Sequence, residues 1–379
     1  MSEIKQVVVL GGGFGGINAA QTILGKTKNV EVTLIDPKEN FVFTPLIHEV
    51  AAGHMTHELV ETTYKQVFAG SKIKHINDYA TNVNFENNTI AINNQLVPYD
   101  VLVLGTGAVS IKPVGHGTNT YELKTIEDAI NINESLKKLK AEVDNSNEKI
   151  NIAIVGGGAT GIEMALECRL FLKNYDRVKI YLVTRDADIL LRFHRSIQIC
   201  AKKRLEEFGI EILTNTEVSQ IEGNFITLHD RTLETKMILW TVGVKPHYPF
   251  VKDEIETDER GRAVVDKFLR LTKYQNVYCV GDIVSGFQMD AQAAVWHGKY
   301  AGKNIARELR GEALEVKTYS PKGELISLGD KYAAGRAFGI TKQGIAVWFL
   351  WRTAYLFKIP TLKRKFEVAV NWTLHLLTP

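Results

Sequence analysis

A short β-branched run that ends in a glycine cluster and opens into a helix-forming segment occurs twice in this sequence. The first copy is Gln6-Val7-Val8-Val9-Leu10, then Gly11-Gly12-Gly13-Phe14-Gly15-Gly16. The second is Ile150-Asn151-Ile152-Ala153-Ile154-Val155, then Gly156-Gly157-Gly158-Ala159-Thr160-Gly161. Unalternating Val/Ile runs fit strands buried on both faces of a parallel sheet, because a half-exposed strand would alternate apolar with polar residues. Good helix formers follow each cluster, Ala19-Ala20-Gln21 and Glu163-Met164-Ala165-Leu166-Glu167. Each copy therefore predicts strand, tight turn and helix.

The glycine spacing gives these turns a chemistry. In G-x-G-x-x-G the first glycine permits the tight bend, the second lets a pyrophosphate reach the backbone, and the third lets helix and strand pack closely. The anion then sits on unpaired amides at the positive end of the helix dipole. Gly11, Gly13 and Gly16 meet the spacing, as do Gly156, Gly158 and Gly161. The first copy is followed by Val32-Thr33-Leu34-Ile35-Asp36, whose terminal acid is placed for the hydroxyls of an adenosine ribose. The bland alternative is a pair of structural glycine turns. The corresponding strand of the second copy, Val178 to Val183, ends in Thr184-Arg185 instead. Without a carboxylate a 2′-phosphate is not repelled and Arg185 is able to pair with it, which suits NADPH; equally, Arg185 is a solvated surface residue and NADH is held through other groups.

Two such units predict an α/β fold of two Rossmann-like domains, the second inserted in the first. The expected division is 1–112 with 241–315 for an FAD-binding domain, 113–240 for an NAD(P)H-binding domain, and 316–379 for a C-terminal membrane-association region. Composition agrees with a globular chain: 379 residues, 45% hydrophobic, 23% charged. The formal net charge of only +3 argues against a nucleic-acid partner, which a basic excess would announce. No apolar run approaches the roughly 20 residues of a spanning helix. Three scattered cysteines, Cys168, Cys200 and Cys279, form no C-x-x-C pair. The start enters a strand at once, so cytosolic synthesis without export is expected.

The stretches VVVLGGGFGGINAA, IDPKENFVFTPLIHEVAAG, YDVLVLGTGA, IAIVGGGATGIEMALE, WTVGVKP, VYCVGDI and AQAAVWHG stand in the order and approximate spacing of the two-dinucleotide-binding flavoproteins. Among these the chain most resembles the type II NADH dehydrogenases, single-subunit NAD(P)H:quinone oxidoreductases that bind FAD non-covalently and pump no protons. Phe43-Thr44-Pro45-Leu46 and the Ala-Gln block at 291 narrow the match. The resemblance implies that Gly11, Gly13, Phe14, Gly15, Gly16 and Asp36 hold the FAD adenylate, with Thr106 and Gly107 closing over the flavin nucleotide and Pro45 also among the cofactor-binding residues. Gly281 and Asp282 resemble the segment that binds the flavin ribityl chain; a plain turn is the alternative for Asp282. Gly156, Gly158, Thr160, Gly161, Thr184 and Arg185 would serve the nicotinamide dinucleotide, and Gly243 is a further cofactor-binding residue. Glu163 would lie near the nicotinamide, or else is only an acid favoured by the helix dipole. Disulfide and sulfide:quinone reductases share the scaffold, but they need cysteine pairs in motifs that this sequence lacks.

At the acceptor end the resemblance implies a helix Ala291-Gln292-Ala293-Ala294-Val295-Trp296-His297 whose amides at Gln292 and Ala293 face the flavin pyrimidine. Trp296 stands where the family has a glutamine lining the quinone slot. An indole is able to stack on a planar acceptor and His297 to supply a proton; core packing and an ordinary surface histidine are the alternatives. From Ile340 onward the chain carries six Lys/Arg against one Glu, and Trp348, Trp351 and Trp372. Cations, tryptophans and apolar faces on helices interrupted at Pro360 suit a bilayer surface, at the cytoplasmic face of the membrane, where a quinone is met. A hairpin buried at a homodimer interface is the alternative. Outside the quinone reading stand a soluble NAD(P)H-dependent reductase for another acceptor and a non-catalytic redox-sensing binder.

Overall fold

A computed structural model describes residues 4–93, 95–145, 147–229, 231–248 and 254–377. It divides into two compact units. The first comprises Met1–Val42, Glu61–Val109 and Val244–Pro321; the second comprises Phe43–Val60, Ser110–Gly243 and Lys322–Pro379. Each unit is thus assembled from three chain segments. Phe43–Val60 and the C-terminal segment, expected in the first domain and in a separate region, both fall in the second unit.

The first unit is built on a five-stranded parallel sheet in the order Val277–Cys279, Val101–Leu104, Lys5–Leu10, Val30–Ile35, Ile73–Ile76. The central residues Val9, Leu34, Leu102 and Leu104 are buried, as their unbroken apolar pattern requires. Helix Phe14–Leu24 leaves the end of the central strand and packs on helix Ala291–Leu309. Small residues let these backbones meet: a Cβ on Gly298 would stand 2.1 Å from the Gly15 carbonyl oxygen, and one on Gly302 2.9 Å from that of Ala19. A three-stranded antiparallel sheet, Ala80–Asn84, Thr89–Ile92 and Gln95–Pro98, completes the unit with the pair Asn40–Val42 and Glu61–Thr63.

The second unit repeats the arrangement. Its parallel sheet runs Thr120–Glu122, Met237–Trp240, Ile150–Val155, Val178–Val183, Glu211–Leu213, and helix Ala159–Phe171 leaves the central strand. A four-stranded sheet containing Val218–Glu222 and Phe225–Leu228 closes one face, packing Ile221, Ile226 and Leu228 against Val155, Val183 and Trp240. A three-stranded antiparallel sheet, Glu324–Ser327, Ala333–Ala337 and Ile340–Gly344, leads into helices Ile345–Lys358 and Leu362–Leu377. The break falls at Pro360, which lacks the amide a continuous helix would need. No helix among the described residues is long and apolar enough to cross a membrane.

Candidate active site

The two glycine turns match position by position. Gly11 and Gly156 both take positive φ, +101° and +125°, a region that any side chain disfavours. Their amides close on the neighbouring strand through Ile35 and Val183 carbonyls, each at 2.8 Å. A Cβ on Gly16 would stand 1.9 Å from the Gly11 carbonyl oxygen, and one on Gly161 2.0 Å from that of Gly156. The third glycine therefore admits no side chain in either copy. At the second glycine the reverse holds. Gly13 and Gly158 have nothing within 4 Å of a built Cβ, and each is the N-cap of its helix with no side-chain cap bond. A helix start without a capping oxygen leaves its first amides to water or to an anion. These residues fit a dinucleotide pyrophosphate.

The copies part behind the turn. In the first, Asp36 Oδ2 accepts the Gly12 amide at 2.6 Å and Oδ1 accepts that of Lys38 at 2.9 Å, so the acid braces the loop from behind. Tyr64 backs it further, donating its hydroxyl to the Gly12 carbonyl at 3.0 Å. Burial, and then Asp36, hold that phenol well above its ordinary range, so it stays a donor. Tyr64 is set in place by a capping box, Thr63 and Gln66, and by His75, whose ring lies 4.6 Å away. In the second copy Thr184 is the backing residue: it is buried, its Oγ1 accepts the Asp186 amide at 3.2 Å, and a Cβ on Gly157 would meet it at 3.0 Å. Arg185 beside it is exposed. Thr241 has no counterpart in the sequence reading; its hydroxyl donates to the Val155 carbonyl at 2.9 Å and walls Gly156 and Gly161.

Around the first cradle, Thr106 donates its hydroxyl to the His247 carbonyl, and Gly107 at φ +70° accepts the His247 amide at 2.9 Å. Phe14 packs edge-on to Phe41 at 5.0 Å. Gly281, at φ +78°, opens the 3-10 turn Gly281–Ile283 that carries Asp282. Helix Ala291–Leu309 begins at Asp290, whose carboxylate accepts the Ala293 amide at 2.8 Å. That amide, expected to face a flavin, is thus taken by an ordinary N-cap bond, since an orphan donor at a helix start finds the nearest oxygen. Trp296 stacks on Tyr300 at 4.7 Å with Tyr319 and Phe287 around it. His297 is fully buried, and its Nδ1 accepts the Gly281 amide at 3.2 Å. Burial pushes its pKa down to about 4, so the ring is neutral near pH 7.

In the second unit Glu163 sits one turn further into its helix than a dipole-stabilised acid would, and its side chain is only 12% exposed. It lies 3.8 Å from His48 Nδ1, on helix Ile47–Ala51. Burial raises its pKa above the usual carboxylate range, against the pull of His48 and a hydrogen bond with the Ser327 backbone. Glu167, one turn on, pairs with His54 at 2.7 Å, and Glu49 accepts the Trp372 indole N–H at 2.9 Å. Arg352 completes the cluster, its guanidinium between Trp348 at 3.8 Å and Trp372 at 4.7 Å. Burial lowers its pKa to about 10, opposed by Glu49 and Glu167. The tail tryptophans, expected at a bilayer interface, are buried within this unit, Trp348 and Trp372 against Arg352 and Trp351 against the rings of Tyr355, His48 and Trp372. Exposed apolar residues of the two helices instead include Phe349, Leu350, Phe357, Leu362, Phe366 and Leu374. Pro45 lies in the 3-10 turn Thr44–Leu46, beside the buried Phe43, and Gly243 takes φ +55° after Thr241.

Comparison with known proteins follows the same lines. The profile of the pyridine nucleotide-disulphide oxidoreductase family matches residues 5–298. The chain is 28% identical over 391 residues to demethylphylloquinone reductase NdbB of Synechocystis, covering 97% of this chain and 95% of that protein. It is 27% identical to the type II NADH:quinone oxidoreductase of Staphylococcus aureus, covering 94% and 96%. Among solved structures, NDH2 from Plasmodium falciparum in complex with NADH superposes with a TM-score of 0.85 at 17% identity, covering 98% of each chain. The sulfide:quinone oxidoreductase of Aquifex aeolicus reaches 0.81 at 19%, covering 93% of this chain and 90% of that one.

Proposed function

This chain belongs to the pyridine nucleotide-disulphide oxidoreductase family, and from that premise we propose that it is an FAD-dependent, non-proton-pumping NAD(P)H:quinone oxidoreductase. The carrying observation is the pair of matched cradles, each with an uncapped helix start and open space at its second glycine. The relatives named as quinone reductases, which cover nearly the whole chain, support the acceptor. A flavin bound there would supply the chemistry, as a hydride acceptor for the nicotinamide and an electron donor to the quinone. The chain's own work is to bind and orient. Gly11, Gly13, Gly16 and Asp36 would hold the flavin nucleotide, Asp282 its sugar chain, and Thr106, Gly107 and Gln292 would line its surroundings. Gly156, Gly158, Thr160 and Gly161 hold the nicotinamide nucleotide. Glu163, whose carboxyl burial holds above the usual carboxylate range, would face the nicotinamide nucleotide.

Cysteine chemistry has no place in this reading, despite the family's name. All three cysteines are free, and burial pushes the Cys168 thiol up to about 12 and the Cys279 thiol higher, far from the thiolate such chemistry uses. The exposed apolar residues of the last two helices, flanked by Lys358, Lys363 and Lys365, suit a peripheral membrane surface. Deleting residues 340–379 would also remove Trp372 and Arg352 from the buried acids. Flotation on anionic vesicles of Phe357→Ser/Leu362→Ser/Phe366→Ser isolates the surface from the core; unchanged flotation refutes the membrane role. Steady-state reduction of a short-chain quinone by NADH and by NADPH tests the activity. Failure with both, together with no bleaching of the flavin on anaerobic mixing, sinks the enzyme reading.

A further inference from the structure

His297 lies in the middle of a backbone device that needs explaining. Gly281 follows directly on the parallel sheet: the Val280 amide still bonds to the Leu104 carbonyl at 2.8 Å. At Gly281 the chain leaves the strand at φ +78° and turns so that Asp282 is presented at the sheet's end. One side of the turn is tied down by the Ala263 amide on the Ile283 carbonyl at 2.7 Å and the Ser285 amide on the Ala263 carbonyl at 2.9 Å. On the other side, the half-buried Gly281 amide has left the ladder and needs another acceptor. Its acceptor is His297 Nδ1, at 3.2 Å, from helix Ala291–Leu309.

That bond dictates the state of the ring. An imidazole that accepts at Nδ1 carries its proton on Nε2. His297 Nε2 is buried and has no hydrogen-bond partner among the described residues. Its ring meets Phe287 at 4.4 Å and 84°, and Phe287 is itself anchored through its carbonyl, which accepts from Arg262 at 2.8 Å. A side chain in such a place, with one nitrogen occupied by backbone and the other among aromatic carbons, is arranged as an acceptor for the turn.

We propose that His297 is a positioning residue for the cofactor: by accepting the Gly281 amide it fixes the turn that presents Asp282 to the flavin. The role rests on the flavoenzyme reading and goes beyond it. It gives the helix that follows Asp290 a second task, the bracing of a strand end, which a leucine of similar bulk would not perform.

Flavin affinity, measured by titrating FAD into the flavin-stripped protein, tests this alongside the melting temperature of the same stripped protein. His297→Leu keeps apolar volume but leaves the Gly281 amide unsatisfied, and weakens FAD binding roughly tenfold. His297→Asn restores an acceptor near Nδ1 and recovers most of that loss. Phe287→Leu disturbs the same packing without touching the acceptor; it lowers the melting temperature and leaves FAD affinity within about twofold of the parent. Wild-type affinity in His297→Leu would overturn the proposal, as would equal losses in His297→Leu and His297→Asn, or a loss in Phe287→Leu as large as in His297→Leu. A parent protein that binds no FAD overturns the flavoenzyme reading itself, which the variants alone cannot do.

Discussion

The two cradles share their front and differ at their back. Both present a left-handed first glycine, an open second and a closed third, with agreement to 0.1 Å in the contact that forbids a side chain at Gly16 and Gly161. Behind the loop, the first copy has an acid and a buried phenol bonded to Gly12, and the second has a threonine bonded to its own strand's continuation. In the proposed reading the front would answer to the pyrophosphate, which is common to both nucleotides, and the back would be where one nucleotide is told from the other.

The strongest challenge to the shared front is Gly16→Ala against Gly161→Ala. Each pushes a methyl into a carbonyl that cannot retreat, so each should cost about 3 kcal/mol or more by denaturant unfolding. The first should also emerge without flavin, while the second stays yellow and fails with nicotinamide nucleotides. If Gly161→Ala loses flavin too, the two cradles are not separate in function. The next contrast lies one residue earlier. A Cβ on Gly12 would stand 2.1 Å from the buried Tyr64 hydroxyl, whereas one on Gly157 meets Thr184 at 3.0 Å. Gly12→Ala should cost about 2 kcal/mol and Gly157→Ala well under 1; similar melting temperatures for the pair would contradict the difference described here.

Smaller effects sharpen the comparison of the backs. Asp36→Asn keeps an acceptor for Gly12 but loses the charge, and should weaken FAD binding about tenfold in a titration, with no change in the KM for NADH. Arg185→Glu should leave flavin untouched and shift the NADPH/NADH preference toward NADH by about tenfold in kcat/KM, if the exposed guanidinium serves a 2′-phosphate. An unchanged ratio assigns Arg185 to the solvent.

The least effect is that of pH on the first unit. Burial lowers the His297 pKa to about 4 from the ordinary imidazole value of about 6.5, so the unfolded chain binds the proton more readily. Stability contributed by the neutral ring is complete above 6.5 and is lost progressively as pH falls from there toward 4. In melting curves across this window the parent should lose on the order of 1 kcal/mol that His297→Asn does not. Equal slopes would mean that the ring is not desolvated as the structure has it.

Both parallel sheets and both glycine turns were legible in the sequence because they are local: a run of Val and Ile, then glycines at fixed offsets, leaves the chain little else to do. The caps were legible too, though overlooked. Thr63-x-x-Gln66 is a capping-box signature that places Tyr64, and Asp290 three residues before Ala293 announces the bond that takes its amide. What the sequence could not yield is pairing over distance. Glu163 and Glu167 share a helix face by spacing alone, but that His48, His54 and Arg352 would meet them depends on three elements far apart in the chain. The tail tryptophans misled for the same reason: aromatic residues beside lysines look alike whether they face lipid or an internal carboxylate, and only the fold shows Trp372 on Glu49.

The absence of a side-chain cap at Gly13 and at Gly158 has a consequence for the life of the molecule. Whatever anion settles there finishes the helix, and so becomes a structural member as well as a reagent. A newly made chain in a cell short of flavin would carry a frayed first turn at the heart of its sheet, and mass action would raise its share of opened forms. Cofactor supply would then govern how much of this protein survives proteolysis, before it ever governed how fast the protein turns over.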